Sequence, residues 1–125
     1  MKLLVTEFEF VGNSSPRLDQ LLSTPACVKA FIRAASEATD SHLPDGYITV
    51  GQGIEINHEA PSFLGTTVTF KATLLQIEGN KLTYELIAWD DVGTVAAGRH
   101  TRAIVNWELL MNRARERAYA KDRGI

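Results

Sequence analysis

Three short stretches of this 125-residue chain carry side chains suited to acid–base or carbonyl chemistry near neutral pH. One is Ser23-Thr24-Pro25. A second runs Val50-Gly51-Gln52-Gly53-Ile54-Glu55-Ile56-Asn57-His58-Glu59-Ala60-Pro61, and a third is Gly98-Arg99-His100-Thr101-Arg102. The imidazole of His58 titrates close to neutrality, so it can take a proton from water or a hydroxyl and return it to a leaving group. A hydroxyl at Thr24 either caps the helix that follows or sits at the positive end of that helix, where a carbonyl oxygen or oxyanion is favoured. Gly51 and Gly53 interrupt a strand rich in branched residues. They mark a bulge, or they let a reacting group approach a backbone N–H. Arg99 and Arg102 either meet phosphates through charge-assisted bonds or line a solvated strand edge.

Cys27 stands one turn beyond Thr24, where a helix terminus can activate a thiol; a small buried apolar side chain is the alternative role. As the single cysteine it excludes an internal disulfide and a cysteine-cluster metal site. His42 and His100 lack partners at metal-ligand spacing, and no phosphate loop, dinucleotide fingerprint or zinc motif is present. No metal is expected.

The elements that must position these groups follow from periodicity. Leu3 to Val11 reads as a strand and Gly12-Asn13-Ser14-Ser15-Pro16 breaks it. From Thr24, taken as the cap, a helix is predicted to about Asp40, with Val28, Phe31, Ile32, Ala35 and Ala38 on its buried stripe. From Tyr47 the period changes to two. Ile48, Val50, Gln52, Ile54, Ile56 and His58 share one parity, which turns the His58 ring toward the helix side. Strands follow at Thr67–Ile77, Lys81–Trp89 and Thr94 to about Asn106, with a hairpin signal at Glu78-Gly79-Asn80. Trp107 to about Arg123 reads as a further helix carrying Trp107, Leu110, Met111, Ala114 and Ala118 on one stripe. One long helix followed by an antiparallel meander implies a single α+β domain over 1–125, the sheet wrapped around the helix. A cystatin-like roll shares that element order.

Composition adds few constraints. Hydrophobic residues at 45% and charged residues at 22% are ordinary for a globular domain. A net charge of −2 gives no bulk attraction to nucleic acid or to an anionic membrane. No apolar run reaches membrane-spanning length, and Glu7 and Glu9 interrupt the apolar start, so a cytoplasmic protein is expected. Residues 107–125 carry five basic and three acidic side chains, a basic tail on an otherwise acidic chain.

The three stretches, with Gly65, Val68 and Gly79-Asn80-Lys81-Leu82 continuing to Ala88-Trp89-Asp90 between them, resemble the hot-dog thioesterases of the fluoroacetyl-CoA thioesterase type in both order and spacing. The resemblance spans residues 23 to about 106. It implies a hot-dog fold, a homodimer with sheets joined edge to edge and a pocket between subunits. It also implies an acyl-CoA substrate, with coenzyme A as part of that substrate and no separate cofactor. Within it Thr24 matches the active-site threonine, His58 the histidine, and Gly51 the glycine whose N–H meets the thioester carbonyl. The family's glutamate, eight residues after the threonine, is replaced here by Ile32. Ile32 and its neighbour Phe31 are then expected to line an apolar acyl site, with Arg99 and Arg102 toward the coenzyme A phosphates. Glu55, Glu59 and Glu37 are the carboxylates nearest in sequence or by helical turn, and are the candidates to replace the missing one. Two functions stay open: hydrolysis of an acyl-CoA with an apolar or aryl acyl group, or binding of an acyl-CoA or another apolar ligand without chemistry.

Overall fold

The computed structural model describes residues 1–6 and 12–120. Its elements are β1 (Lys2–Leu4), α1 (Thr24–Thr39), β2 (Tyr47–His58), β3 (Thr67–Glu78), β4 (Lys81–Trp89), β5 (Thr94–Asn106) and α2 (Trp107–Ala120). Of the strand expected over Leu3–Val11, β1 covers Lys2–Leu4, Val5 and Thr6 lie beyond its end, and 7–11 lie outside the described residues. Five antiparallel strands in the order β1-β3-β4-β5-β2 curl around α1. This is the hot-dog arrangement that the family resemblance implies.

The sheet is not the simple meander expected. β2 pairs with β5 along its whole length instead of with β3, and so forms an edge. The chain leaving β2 therefore has to cross to the far side of the sheet. On the way Glu59 and Ala60 donate their N–H groups to Val95 O, Leu22 N donates to Ser62 O at 2.9 Å, and Leu64 N donates to Gln20 O at 2.9 Å. That crossing ties the end of β2 to the segment entering α1.

The buried face of α1 is Cys27, Ala30, Phe31, Ala34 and Ala35, a stripe rotated from the expected one. Val28 and Ile32 are half-buried and Ala38 is exposed. The alanines let the helix axis lie close to the sheet, where Phe31 meets Phe70 edge to face at 5.0 Å between centroids. Leu82, Tyr84, Leu86 and Ala88 alternate inward along β4, as their period requires. Gly98 is dictated by proximity, since a Cβ there would run into the carbonyl oxygen of Glu55 on β2. α2 buries no residue; Leu110 and Met111 of its expected stripe are half-covered, and Trp107, Ala114 and Ala118 are exposed.

One irregularity decides how β2 presents its side chains. Gly51 pairs with Arg102 and Gly53 with Thr101, so Gln52 is an extra residue, a β-bulge. The bulge reverses parity. Thr49 is buried before it, whereas Ile54, Ile56 and His58 are the covered positions after it. Ile48 and Val50 therefore do not share a face with Ile54, although His58 still turns inward.

Candidate active site

Ser23, not Thr24, caps α1: its hydroxyl accepts from Ala26 N at 3.1 Å. Thr24 becomes the first helical residue, with Pro25 behind it, and its hydroxyl is released from capping. That hydroxyl lies 2.9 Å from His58 Nδ1, across the junction the 59–66 crossing creates. On the other side of the ring, Cys27 Sγ lies 3.8 Å from Nε2. His58 is thus held between two residues one turn apart on α1. A cleft of ≈ 290 Å³ opens beside the pair, walled by Leu18, Leu21, Leu22, Ala60 and Pro61, with Asn13 and Glu59 as its further polar lining. Asn13 braces the Leu18–Leu21 wall by donating from Nδ2 to the carbonyls of Leu18 at 2.8 Å and Leu21 at 2.9 Å.

Electrostatics favour a neutral imidazole. Burial pushes the His58 pKa below its usual 6.5, with a backbone hydrogen bond at Ala60 opposing the shift. Burial likewise pushes the Cys27 thiol up to about 11, so it stays protonated and does not serve as a thiolate.

The structure brings Thr24 and His58 together, and it separates other candidates from them. Gly51 stands seven residues up the same strand, at the bulge. Ile32 is two helical turns from Thr24, and Phe31 is fully buried against the sheet. Arg99 is exposed on β5, in register between Glu55 and Glu85. Arg102 is 4% exposed and committed internally, donating from Nε to Thr49 Oγ1 and from Nη2 to Thr49 O, each at 2.8 Å. None of the three weighed carboxylates is a described partner of His58. Glu37 pairs with Arg33 at 2.8 Å, and Glu55 and Glu59 are exposed.

Sequence reasoning assigned no role to His100, yet it is 1% exposed and fully engaged. Its Nδ1–H donates to Gly53 O at 2.7 Å, and its Nε2 accepts from Arg102 Nη1 at 3.2 Å. The alternation of His100 and Arg102 along β5 is the available signal; Arg102 stands opposite Gly51, and His100 stands opposite Ile54, next to Gly53. Among the described residues no group of three or more His, Cys, Asp or Glu side chains is placed to hold a metal ion, and no helix is long and apolar enough to cross a membrane.

A curled antiparallel sheet around one helix, with a threonine–histidine pair at the helix start, defines a hot-dog protein of thioesterase type. Residues 5–108 match the model of the fluoroacetyl-CoA-specific thioesterase family, and the chain belongs to that family. The fluoroacetyl-CoA thioesterase of Streptantibioticus cattleyicolor is 30% identical over 95 residues, which is 76% of this chain and 63% of that protein's own length. A hot-dog-like protein from Thermanaerovibrio acidaminovorans superposes with a TM-score of 0.90 at 36% identity, covering 94% of this chain and 87% of that one. A point mutant of the fluoroacetyl-CoA-specific thioesterase, in complex with fluoroacetate and CoA, superposes with a TM-score of 0.83 at 26% identity, covering 94% and 96%.

Proposed function

We propose that this chain hydrolyses an acyl-CoA thioester and does so as a homodimer in the cytoplasm. The observation that carries the reading is the 2.9 Å contact between Thr24 Oγ1 and His58 Nδ1 beside a cleft of mixed leucine and polar lining, in a chain of this family. His58, neutral at physiological pH, accepts a proton from water or from the Thr24 hydroxyl as the carbonyl is attacked. It then returns that proton to the departing coenzyme A sulfur; where the Thr24 hydroxyl is the nucleophile, a water deprotonated by His58 next cleaves the acyl-threonine ester, and the proton returns to Thr24. The Gly51 N–H stabilises the oxyanion.

Geometry supports the dimer. At ~3.3 Å per residue, Gly51 and His58 of one strand stand roughly 20 Å apart, too far to meet one carbonyl. β2 is a sheet edge with twelve residues open to pairing. Two copies joined antiparallel along β2, about a two-fold axis near Ile54 and Glu55, bring Gly51 of one copy opposite His58 of the other. By the same offset Ile32, ~12 Å along α1 from Thr24, serves the other copy's site. An isoleucine there favours a hydrocarbon or aryl acyl group over a small polar one, so turnover of aryl or medium-chain acyl-CoA should exceed that of the smallest polar acyl-CoA. Arg99 is the exposed cation for coenzyme A phosphates; the internal bonds of Arg102 argue against that role.

A thiol-release assay on wild type and His58→Ala tests the chemistry, and thermal melts with a non-hydrolysable acyl-CoA analogue test binding. Stabilisation by the analogue without His58-dependent release would establish the second reading, a non-catalytic acyl-CoA binder. That reading is favoured by Ile32 at the position of the family's glutamate.

A further inference from the structure

The bulge at Gly51–Gln52–Gly53 is gripped from beneath by side chains of β5. On one side of it Arg102 donates to Thr49 O, and on the other His100 donates to Gly53 O. Arg102 Nη1 to His100 Nε2 closes the bracket between the two anchor points. A Cβ at Gly51 would lie 3.5 Å from His100 Cε1 and 3.6 Å from Arg102 Nη1, so both side chains run directly under the Gly51 backbone. The bracket is anchored further, because Thr49 Oγ1 donates to Asp40 Oδ1 at 2.6 Å and Thr49 N donates to the same oxygen at 3.2 Å. Ser36 Oγ donates to Asp40 Oδ2 at 3.1 Å, which ties the far end to α1.

The tautomer of His100 follows from its partners. A carbonyl only accepts and a guanidinium only donates, so Nδ1 carries the proton and Nε2 the lone pair. We propose that His100, held in this neutral Nδ1–H form between Gly53 and Arg102, is a positioning residue that sets the bulge and thereby aims the Gly51 N–H. The inference rests on the thioesterase reading for its catalytic meaning, and on the bracket alone for its geometry. His100 itself does not touch substrate. A strand ladder holds an ordinary pair of residues, but the extra residue of a bulge is left out of the ladder and needs other support. Buried polar side chains with every partner satisfied supply it.

Two substitutions separate positioning from general structural damage. Glutamine retains a donor for Gly53 O and an acceptor for Arg102; leucine retains neither. His100→Gln should keep kcat within about twofold. His100→Leu should lower it by about 10²-fold with KM little changed, as expected for misplacement of an oxyanion donor. In ¹H–¹⁵N spectra, the Gly51 and Gly53 amides should move in His100→Leu and return in His100→Gln, while the Thr24 amide stays in place. Long-range ¹⁵N spectra of wild type should show His100 as the Nδ1–H tautomer at pH 7. An Nε2–H or cationic wild-type ring would overturn the proposal without any variant, even if the leucine protein fails to fold. So would a leucine variant with wild-type Gly51 and Gly53 amides, or a glutamine variant as impaired as leucine. If wild type releases no thiol from any acyl-CoA, the thioesterase reading falls, and the tautomer and glycine amides still decide the bracket.

Discussion

His58 and His100 lie on neighbouring strands, and burial lowers the pKa of both, yet they are built for opposite ends. His58 ends its strand beside an open cleft, with a hydroxyl on one ring nitrogen and a weakly bonding thiol near the other. His100 sits mid-strand with both nitrogens in good hydrogen bonds, a tyrosine ring tilted over it at 6.0 Å, and almost no exposure. Residue type and pKa direction therefore do not distinguish a reactive imidazole from a structural one. The distinction lies in whether the partners can change during a reaction.

Exchanging each ring for an amide breaks the comparison most sharply. His58→Gln should reduce thiol release by roughly 10²–10⁴-fold, the range for loss of a general base, with little change in the urea midpoint. The same exchange at His100 should leave turnover nearly intact. Stability reverses the order. His100→Leu leaves Arg102 Nη1 and Gly53 O without their partner, at about 1–3 kcal/mol for each orphaned group, so urea denaturation should show a loss of about 2–6 kcal/mol.

Acid sharpens the comparison further. Each folded-state pKa lies below the unfolded value near 6.5, so below that pH the unfolded chain binds more protons than the native one. The stabilisation from each neutral ring is complete above about pH 6.5. It is lost as pH falls through the folded-state pKa. Urea midpoints measured from pH 7.5 down to 5 should therefore drop in wild type, and drop less steeply in His100→Gln and in His58→Gln. The acid limb of kcat/KM should also fall below 6.5 and vanish only where His58 is replaced. The smallest expected effect concerns the cap that frees Thr24: Ser23→Ala should cost about 1 kcal/mol, read as a lower melting temperature, while Thr24→Ser should be neutral for stability.

Much of this arrangement is legible in the residues. Alternation in Lys81–Trp89 marks β4 to its ends, β5 keeps the bounds expected from the sequence, and the turn at Gly79 adopts the positive φ that glycine permits. What escapes the sequence is non-local. Nothing in β2 announces that it pairs with β5, because that choice is made by the crossing chain at 59–66. The parity argument reached the correct orientation for His58 only because Ile54, Ile56 and His58 all follow the bulge. The same argument misplaced Ile48 and Val50, which precede it. The helix stripe was misread for a related reason: bulk suggested Val28 and Ile32, whereas close packing on a sheet selects Cys27 and the alanines. Ser23 and Thr24 are both competent caps, and only the contact with His58 shows which one is free.

The pairing of β2 with β5 also sets an order of events in time. β3, β4 and β5 are joined by short turns and can assemble from local contacts, but β2 must wait for a partner that begins 36 residues after its own end. Closing so long a loop is entropically slow, and contacts of this separation form late. On a ribosome, the strand bearing Gly51 and His58 emerges well before the strand that receives it. The active-site strand is thus synthesised early and docked late, after the β3–β4–β5 ladder that receives it.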